Sequence, residues 1–401
     1  MEESGSGSGG GAWMESLRAR QQELDSRKSR LAENWRNAEC ASSIPLALPD
    51  WVRRLDVGDY PLVACGSASG NIFVANLETG DLLAQTDLDN DDNDTPEPLD
   101  GLEPLIDMLF SGFDGGGTLA IAIKGGLVCS AGRQGSVQVW RIDDANPRLV
   151  SQGSMAALEG QAVTCLELDD EYLWVATADG DLHAYPYRSK DMPLTLQHEP
   201  ALSWKLDGAI LSMSLSSELG YGTVTTANRQ VYVFSLDDDD EEALIEWTPE
   251  PDPLGSGDDD HILSASLVAF PNEEGCVVVC GSRDGAMRIQ PLNWQNGMVD
   301  EEDPLMKSSS SSSTVYQPRH NGPLKCLASP APGLLISAGQ DGSIRLWNVS
   351  KDKTFYMYQF MGYKVWLGSV WTDGTRLVSD GADNTIVVHD YSRTNSESTE
   401  L

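Results

Sequence analysis

The chain is poor in the residue types from which metal centres, catalytic dyads and membrane spans are built. Five histidines and seven cysteines are scattered through 401 residues, and no C-x-x-C pair occurs. Cys276 and Cys280 stand four apart, which puts them on one face of a strand, and no further Cys or His follows at the spacing of a four-ligand zinc site. The odd cysteine count, with Cys65, Cys129, Cys165 and Cys280 inside apolar runs, fits reduced buried thiols rather than a disulfide framework. No apolar run approaches the roughly 18 to 20 residues that cross a bilayer, and the start is Gly/Ser-rich and acidic, so the chain reads as soluble and intracellular. Basic residues are also few: 27 against 62 acidic ones, a formal net charge of -35. That excludes tight electrostatic binding of nucleic acid or an anionic membrane and favours partners with basic segments. G-x-S-x-G, P-loop and H-E-x-x-H patterns are missing, and the G-x-G-like spacing near the start has no preceding strand, so neither an enzyme nor a cofactor or metal is implied.

What is abundant is glycine, at 38 residues, and tryptophan, at 11 against 7 phenylalanines, a composition of many tight turns and a recurring large aromatic position. Residues 1–11 form a flexible Gly/Ser leader. Residues 12–37 then read as a helix: from Trp13 to Arg36 there is no Gly or Pro, and Leu17, Leu24 and Leu31 recur every seven residues. Gln21 and Lys28 interrupt the companion seam, so the stripe is expected to dock narrowly, on the ring or on a partner, rather than in a strong coiled coil. Its six Arg/Lys against four Asp/Glu make it mildly basic within an acidic chain.

After Pro45 the helical period gives way to short apolar runs separated by Gly, Asp, Asn and Ser. One pattern recurs seven times: an apolar strand, a tight small-residue turn, and a second strand ending near an anchor position. The copies begin at Cys65, Ser130, Ala176, Thr225, Cys280, Ser337 and Ser379, and their anchors are Ala75, Trp140, Tyr185, Phe234, Gln290, Trp347 and His389. Successive anchors lie 65, 45, 49, 56, 57 and 42 residues apart, the shortest interval matching one four-stranded propeller blade and the longer ones holding inserts.

In these motifs the sequence resembles the WD40-repeat family over residues 43–393. The sixth copy carries the resemblance most fully: His320, Leu324, Leu327, Ser337, Asp341, Gly342 and Trp347 stand at family spacing, with Asn348 where Asp usually follows. The resemblance implies an all-β, seven-bladed β-propeller preceded by a short N-terminal helix and followed by a polar tail at 394–401. It also implies a structural network of His320, Ser337, Asp341 and Trp347. Residues 29–40, with the step Asn34-Trp35-Arg36, are similar to the junction ahead of the propeller in F-box proteins that carry WD40 repeats, although no F-box precedes them. A ring must close, and the last copy lacks an outer strand. Residues 43–48 are expected to supply it.

The surplus acid falls in inserts. The run at 87–94 approaches an EF-hand loop when read from Asp89, but Asp94 stands where Gly is needed and Asp100 where a bidentate Glu is needed, so it reads as a solvated loop. Asp89, Asp91, Asp92 and Asp94, with Asp258, Asp259 and Asp260, are the candidate partner-binding acids. Further acidic runs occupy 237–242 and 300–303, and a serine run at 308–313 forms a linker open to phosphorylation. The functional expectation is a non-enzymatic scaffold that binds proteins through propeller faces and acidic loops, as a monomeric subunit of a larger complex. The alternative carried by the F-box-like junction is the substrate receptor of a cullin-type ubiquitin ligase.

Overall fold

The computed structural model describes residues 9–86, 117–132, 135–143, 148–155, 161–187, 199–236, 244–249, 261–271, 275–292, 316–350, 353–363, 367–381 and 384–393. The candidate acids at 89–94 and 258–260, the runs at 237–242 and 300–303, the serine run and the polar tail lie outside the described residues. The protein is a seven-bladed β-propeller, mostly strands, with one helix, N-terminal to the ring, among the described residues.

The chain divides into two compact units, Met1–Ser42 with His389–Leu401, and Ser43–Val388. The larger holds the ring. Its inner strands are Val52–Asp56, Ala120–Lys124, Val163–Leu168, Ile210–Ser216, Ile262–Ala269, Leu324–Ala331 and Val370–Thr372. Each begins an antiparallel meander of three or four strands. Among the described residues, six sheets have four strands and the fifth blade, Ile262–Ala269, Cys276–Ser282 and Met287–Leu292, has three.

The sevenfold pattern is explained by register. In the first six copies the anchor residue of the third strand sits opposite a fixed position of the second: Ala75 faces Val63, Trp140 faces Val128, Tyr185 faces Leu173, Phe234 faces Gly222, Gln290 faces Val278 and Trp347 faces Leu335. The Phe234 ring lies over Gly222 so closely that a Cβ there would strike it, which is why this aromatic is paired with a glycine. The turn between those strands needs one residue with positive φ in every copy. Glycine supplies it at 70, 135, 180, 285 and 342, while Arg229 (φ 68°) and Asn384 (φ 63°) supply it in the fourth and seventh.

The ring closes as a sheet. The last blade has the strand order Ala41–Ala47, Thr385–Asp390, Arg376–Asp380, Val370–Thr372, and within the larger unit the Leu48 amide donates to the Asn384 carbonyl at 2.9 Å. Leu46 and Leu48 are buried in one apolar cluster with Val52 and Leu55 of the first blade and Val378, Ile386 and Val388 of the last. Segment 43–48 thus removes an exposed strand edge and adds apolar burial at the seam.

In the smaller unit the helix runs Gly9–Asn37 and takes in the last residues of the expected leader. It ends in a left-handed Ala38 (φ 59°), with the Glu39 amide donating to the Asn34 carbonyl at 2.9 Å, a Schellman-type stop. The Asn34-Trp35 step is an anchor. The Trp35 ring is fully buried and stacks on Tyr391, with centroids 3.5 Å apart and planes inclined by 16°, while the Asn34 amide donates to the Tyr391 carbonyl at 2.7 Å. Along the rest of the apolar stripe Trp13, Met14, Leu17 and Leu24 are 64%, 47%, 43% and 44% exposed. No helix among the described residues is long and apolar enough to cross a membrane.

Candidate functional site

Inner strands of all seven blades converge on a cavity of about 410 Å³. Their sequences interleave apolar and polar residues, as in Val163–Leu168, where Val163 and Leu166 enter the apolar packing between blades while Thr164 and Glu167 line the cavity. Serines dominate the lining on the fourth and fifth blades: Ser212, Ser214, Ser216, Ser264 and Ser266. The charged lining residues are Arg54, Asp56, Lys124, Glu167 and Lys325.

These charges come from distant parts of the chain, and three of them, Asp56, Glu167 and Lys325, are shifted from their ordinary values. Burial pushes the Asp56 carboxyl up from its ordinary 3.8 to about 6, against the opposing effect of amide hydrogen bonds from Ile123 and Val57, each 2.8 Å, and of nearby Lys124. Glu167 is raised well above the ordinary carboxylate range, first by burial and then by the negative Asp56. Lys325 moves the other way, down to about 7, through burial and then the Arg54 guanidinium. Arg54 is itself held by carbonyls, its Nε donating to Leu119 at 3.1 Å and its Nη1 to Gly368 at 3.0 Å. Behind the last inner strand, burial also raises Asp380 to about 6 while it accepts the Gly368 and Ser369 amides. Cys165 and Cys326 line the same cavity, and burial pushes both thiols up to about 12, which favours the protonated thiol over the thiolate. Among the described residues no group of three or more His, Cys, Asp or Glu is placed to hold a metal ion. The wall therefore offers hydroxyls and a few charges of both signs.

The four residues singled out in the sixth copy form one chain of hydrogen bonds. Trp347 Nε1 donates to Ser337 Oγ at 2.8 Å, Ser337 Oγ lies 2.8 Å from His320 Nε2, and His320 Nδ1 lies 3.0 Å from Asp341 Oδ1. Since the indole can only donate, the serine proton points to Nε2 and the imidazole proton sits on Nδ1, facing the carboxylate. Burial, partly offset by Asp341, lowers the His320 pKa and keeps the ring neutral at pH 7. Burial alone would raise Asp341. The hydrogen bonds from His320, the Asn321 amide and Ser343 reverse that and hold it well below the ordinary range. Arg345 Nη2 completes the set at 3.0 Å from Asp341 Oδ2. All four side chains are spent on one another, so the network orders the turns of a blade and leaves no free nucleophile or base.

Other copies use different chemistry for the same task. In the third blade Trp174 Nε1 donates to Asp169 at 2.6 Å, and Trp174, Trp204 and Phe234 pack their rings at centroid distances of 5.0 to 6.2 Å. At the anchor of the last copy, His389 Nδ1 lies 2.6 Å from Ser42 Oγ.

A family model described as "WD domain, G-beta repeat" matches residues 311–348, the segment that holds this network. No curated protein matches the chain by sequence. Among solved structures, the chain is similar to the WD40 β-propeller domain of Doa1, with a TM-score of 0.55, 11% identity, and 89% of this chain and 98% of that one covered. It is similar to U3-55K with a TM-score of 0.57, 13% identity, and coverage of 88% and 98%. A computationally designed protein, Ika8, aligns with a TM-score of 0.50 and 16% identity over 84% of this chain and 83% of that one. At such identities the likeness concerns the fold alone. The recognised repeat in the sixth blade and the ring shared with WD40 propellers together are consistent with the WD40-repeat propeller family.

Proposed function

We propose that the protein is a non-enzymatic interaction scaffold that holds basic segments of partner proteins against its acidic inserts, as one subunit of a larger complex. A WD40-type ring suits the coarser role, because its blades tolerate loop variation and its faces accept peptides and domains. The observation that carries the finer reading is the placement of charge. The formal net charge of -35 is concentrated in inserts that the seven repeats do not need, including Asp89, Asp91, Asp92 and Asp94 and Asp258, Asp259 and Asp260. Clustered like charge raises the local concentration and the association rate of an oppositely charged partner.

Affinity purification of the full chain with quantitative mass spectrometry, at about 100 mM and about 500 mM salt, tests this. A variant with all seven of those aspartates changed to asparagine runs alongside. The expected result is a set of partners with basic segments that is lost both at raised salt and from the variant. A partner set unchanged by the seven substitutions would overturn the reading.

A further inference from the structure

Four large apolar side chains stand exposed on one helix: Trp13, Met14, Leu17 and Leu24. Placed on a heptad, Leu17, Leu24 and Leu31 occupy one core position and Met14, Gln21, Lys28 and Trp35 the other, so residues 14–31 present about 27 Å of seam. The buried Trp35 pins the C-terminal end of the helix on Tyr391, and the seam lies N-terminal to that fixed point along the helix.

The residues flanking the seam decide what can cover it. They are Trp13, Arg20, Arg27 and Asn34 on one side and Arg18, Asp25 and Ala32 on the other. Arg27 is already paired on its own helix with Glu23 at 2.6 Å, and Asp25 accepts from Gln21 at 2.9 Å. Arg18, Arg20 and Lys28 form no ion pair among the described residues, so the seam is positive where it is unneutralised. A second copy is a poor cover. In a parallel pair Lys28 would oppose Lys28 within the core layer, and in an antiparallel pair Arg20 would meet Arg27 across the flank. An acidic helix meets neither conflict, and a carboxylate at its core position would neutralise Lys28.

We propose that residues 14–31 dock an acidic amphipathic helix of a partner protein as a short two-stranded coiled coil. The partner contributes leucine-type residues at its core positions and Glu or Asp at its flanks. This surface is separate from the acidic inserts and selects partner segments of opposite charge to theirs.

The test uses the full chain and two labelled three-heptad peptides, both with leucine cores, one with glutamate and one with lysine at the flanking positions, followed by fluorescence anisotropy. The glutamate peptide is expected to bind about tenfold or more tighter than the lysine peptide, and to weaken between about 50 mM and about 500 mM salt. Leu17→Ser with Leu24→Ser abolishes binding without moving the thermal midpoint of the ring. Arg18→Glu, Arg20→Glu and Lys28→Glu together keep the leucines and reverse the preference to the lysine peptide. Equal binding of the two peptides, failure of the glutamate peptide, or a preference that the triple variant does not reverse would overturn the proposal. So would a dimer in sedimentation that Leu17→Ser dissolves.

Discussion

At the scale of single residues, the buried polar groups divide into those that are mutually satisfied and those that are strained by their surroundings. His320 belongs to the first kind. Truncation to alanine strands Ser337 and Asp341 in a buried setting, so His320→Ala is expected to cost about 2 to 4 kcal/mol in chemical denaturation, while the double variant His320→Ala/Ser337→Ala costs less than the sum of its parts. Glu167 belongs to the second kind. A carboxyl held above its ordinary value in the fold binds its proton more tightly folded than unfolded, so its contribution to stability falls as pH rises through that interval. Asp56 follows the same sign between 3.8 and about 6. Glu167→Gln should therefore raise stability at pH 7.5 and change it little at pH 4, where the native carboxyl is already protonated. Thermal melts at the two pH values check this, and an equal gain at both would rule out the electrostatic cause.

At the scale of strands and turns, the sequence was most legible wherever a local backbone rule forces a residue type. Five of the seven positive-φ turns carry glycine and one carries Asn384, which is why the copies could be aligned without a structure. Arg229 obeys no such rule and is recognised as the equivalent residue only by its register. The sixth-blade network was readable because its four side chains require one another. The axial charges were not, since Asp56, Glu167 and Lys325 lie on strands more than a hundred residues apart and only closure of the ring brings them to one cavity. What covers the helix seam stayed open for a different reason: a period of seven reveals an apolar stripe but not whether anything covers it. Closure itself was readable from the missing outer strand, and it can be tested by alternation within the strand Ala41–Ala47. Leu46 is buried in the seam cluster and Ala47 is exposed. Leu46→Asp is expected to cost about 3 kcal/mol or more by burying a charge, whereas Ala47→Asp should stay within about 0.5 kcal/mol. Urea titrations of both variants measure it, and equal effects would mean that this strand does not seal the ring.

At the scale of the molecule, the balance is between a core that holds the ring and a charge that pushes outward. A formal net charge of -35 on one chain repels itself, and part of that repulsion is relieved when the chain unfolds and its charges separate. Among the described residues the ion pairs that could oppose it are mostly peripheral, such as Lys124 with Asp170 at 2.7 Å and Lys205 with Asp181 at 2.9 Å, where Asp170 and Lys205 are largely exposed. Pairs of that kind contribute about 0 to 1 kcal/mol each, so screening them loses little while screening the repulsion gains more. Added salt should therefore stabilise the isolated protein. Raising sodium chloride from about 20 mM to about 300 mM shortens the screening length from roughly 20 Å to below 10 Å, so repulsion between neighbouring acidic segments is damped over that range. The thermal midpoint is expected to rise by several degrees, most of the change falling below about 150 mM, and to rise less in the variant with seven aspartates neutralised. Complexes held by the same acidic inserts respond in the opposite direction and dissociate over the same salt range. A midpoint that falls with salt in the isolated chain would show that favourable ion pairs, not repulsion, dominate its electrostatics.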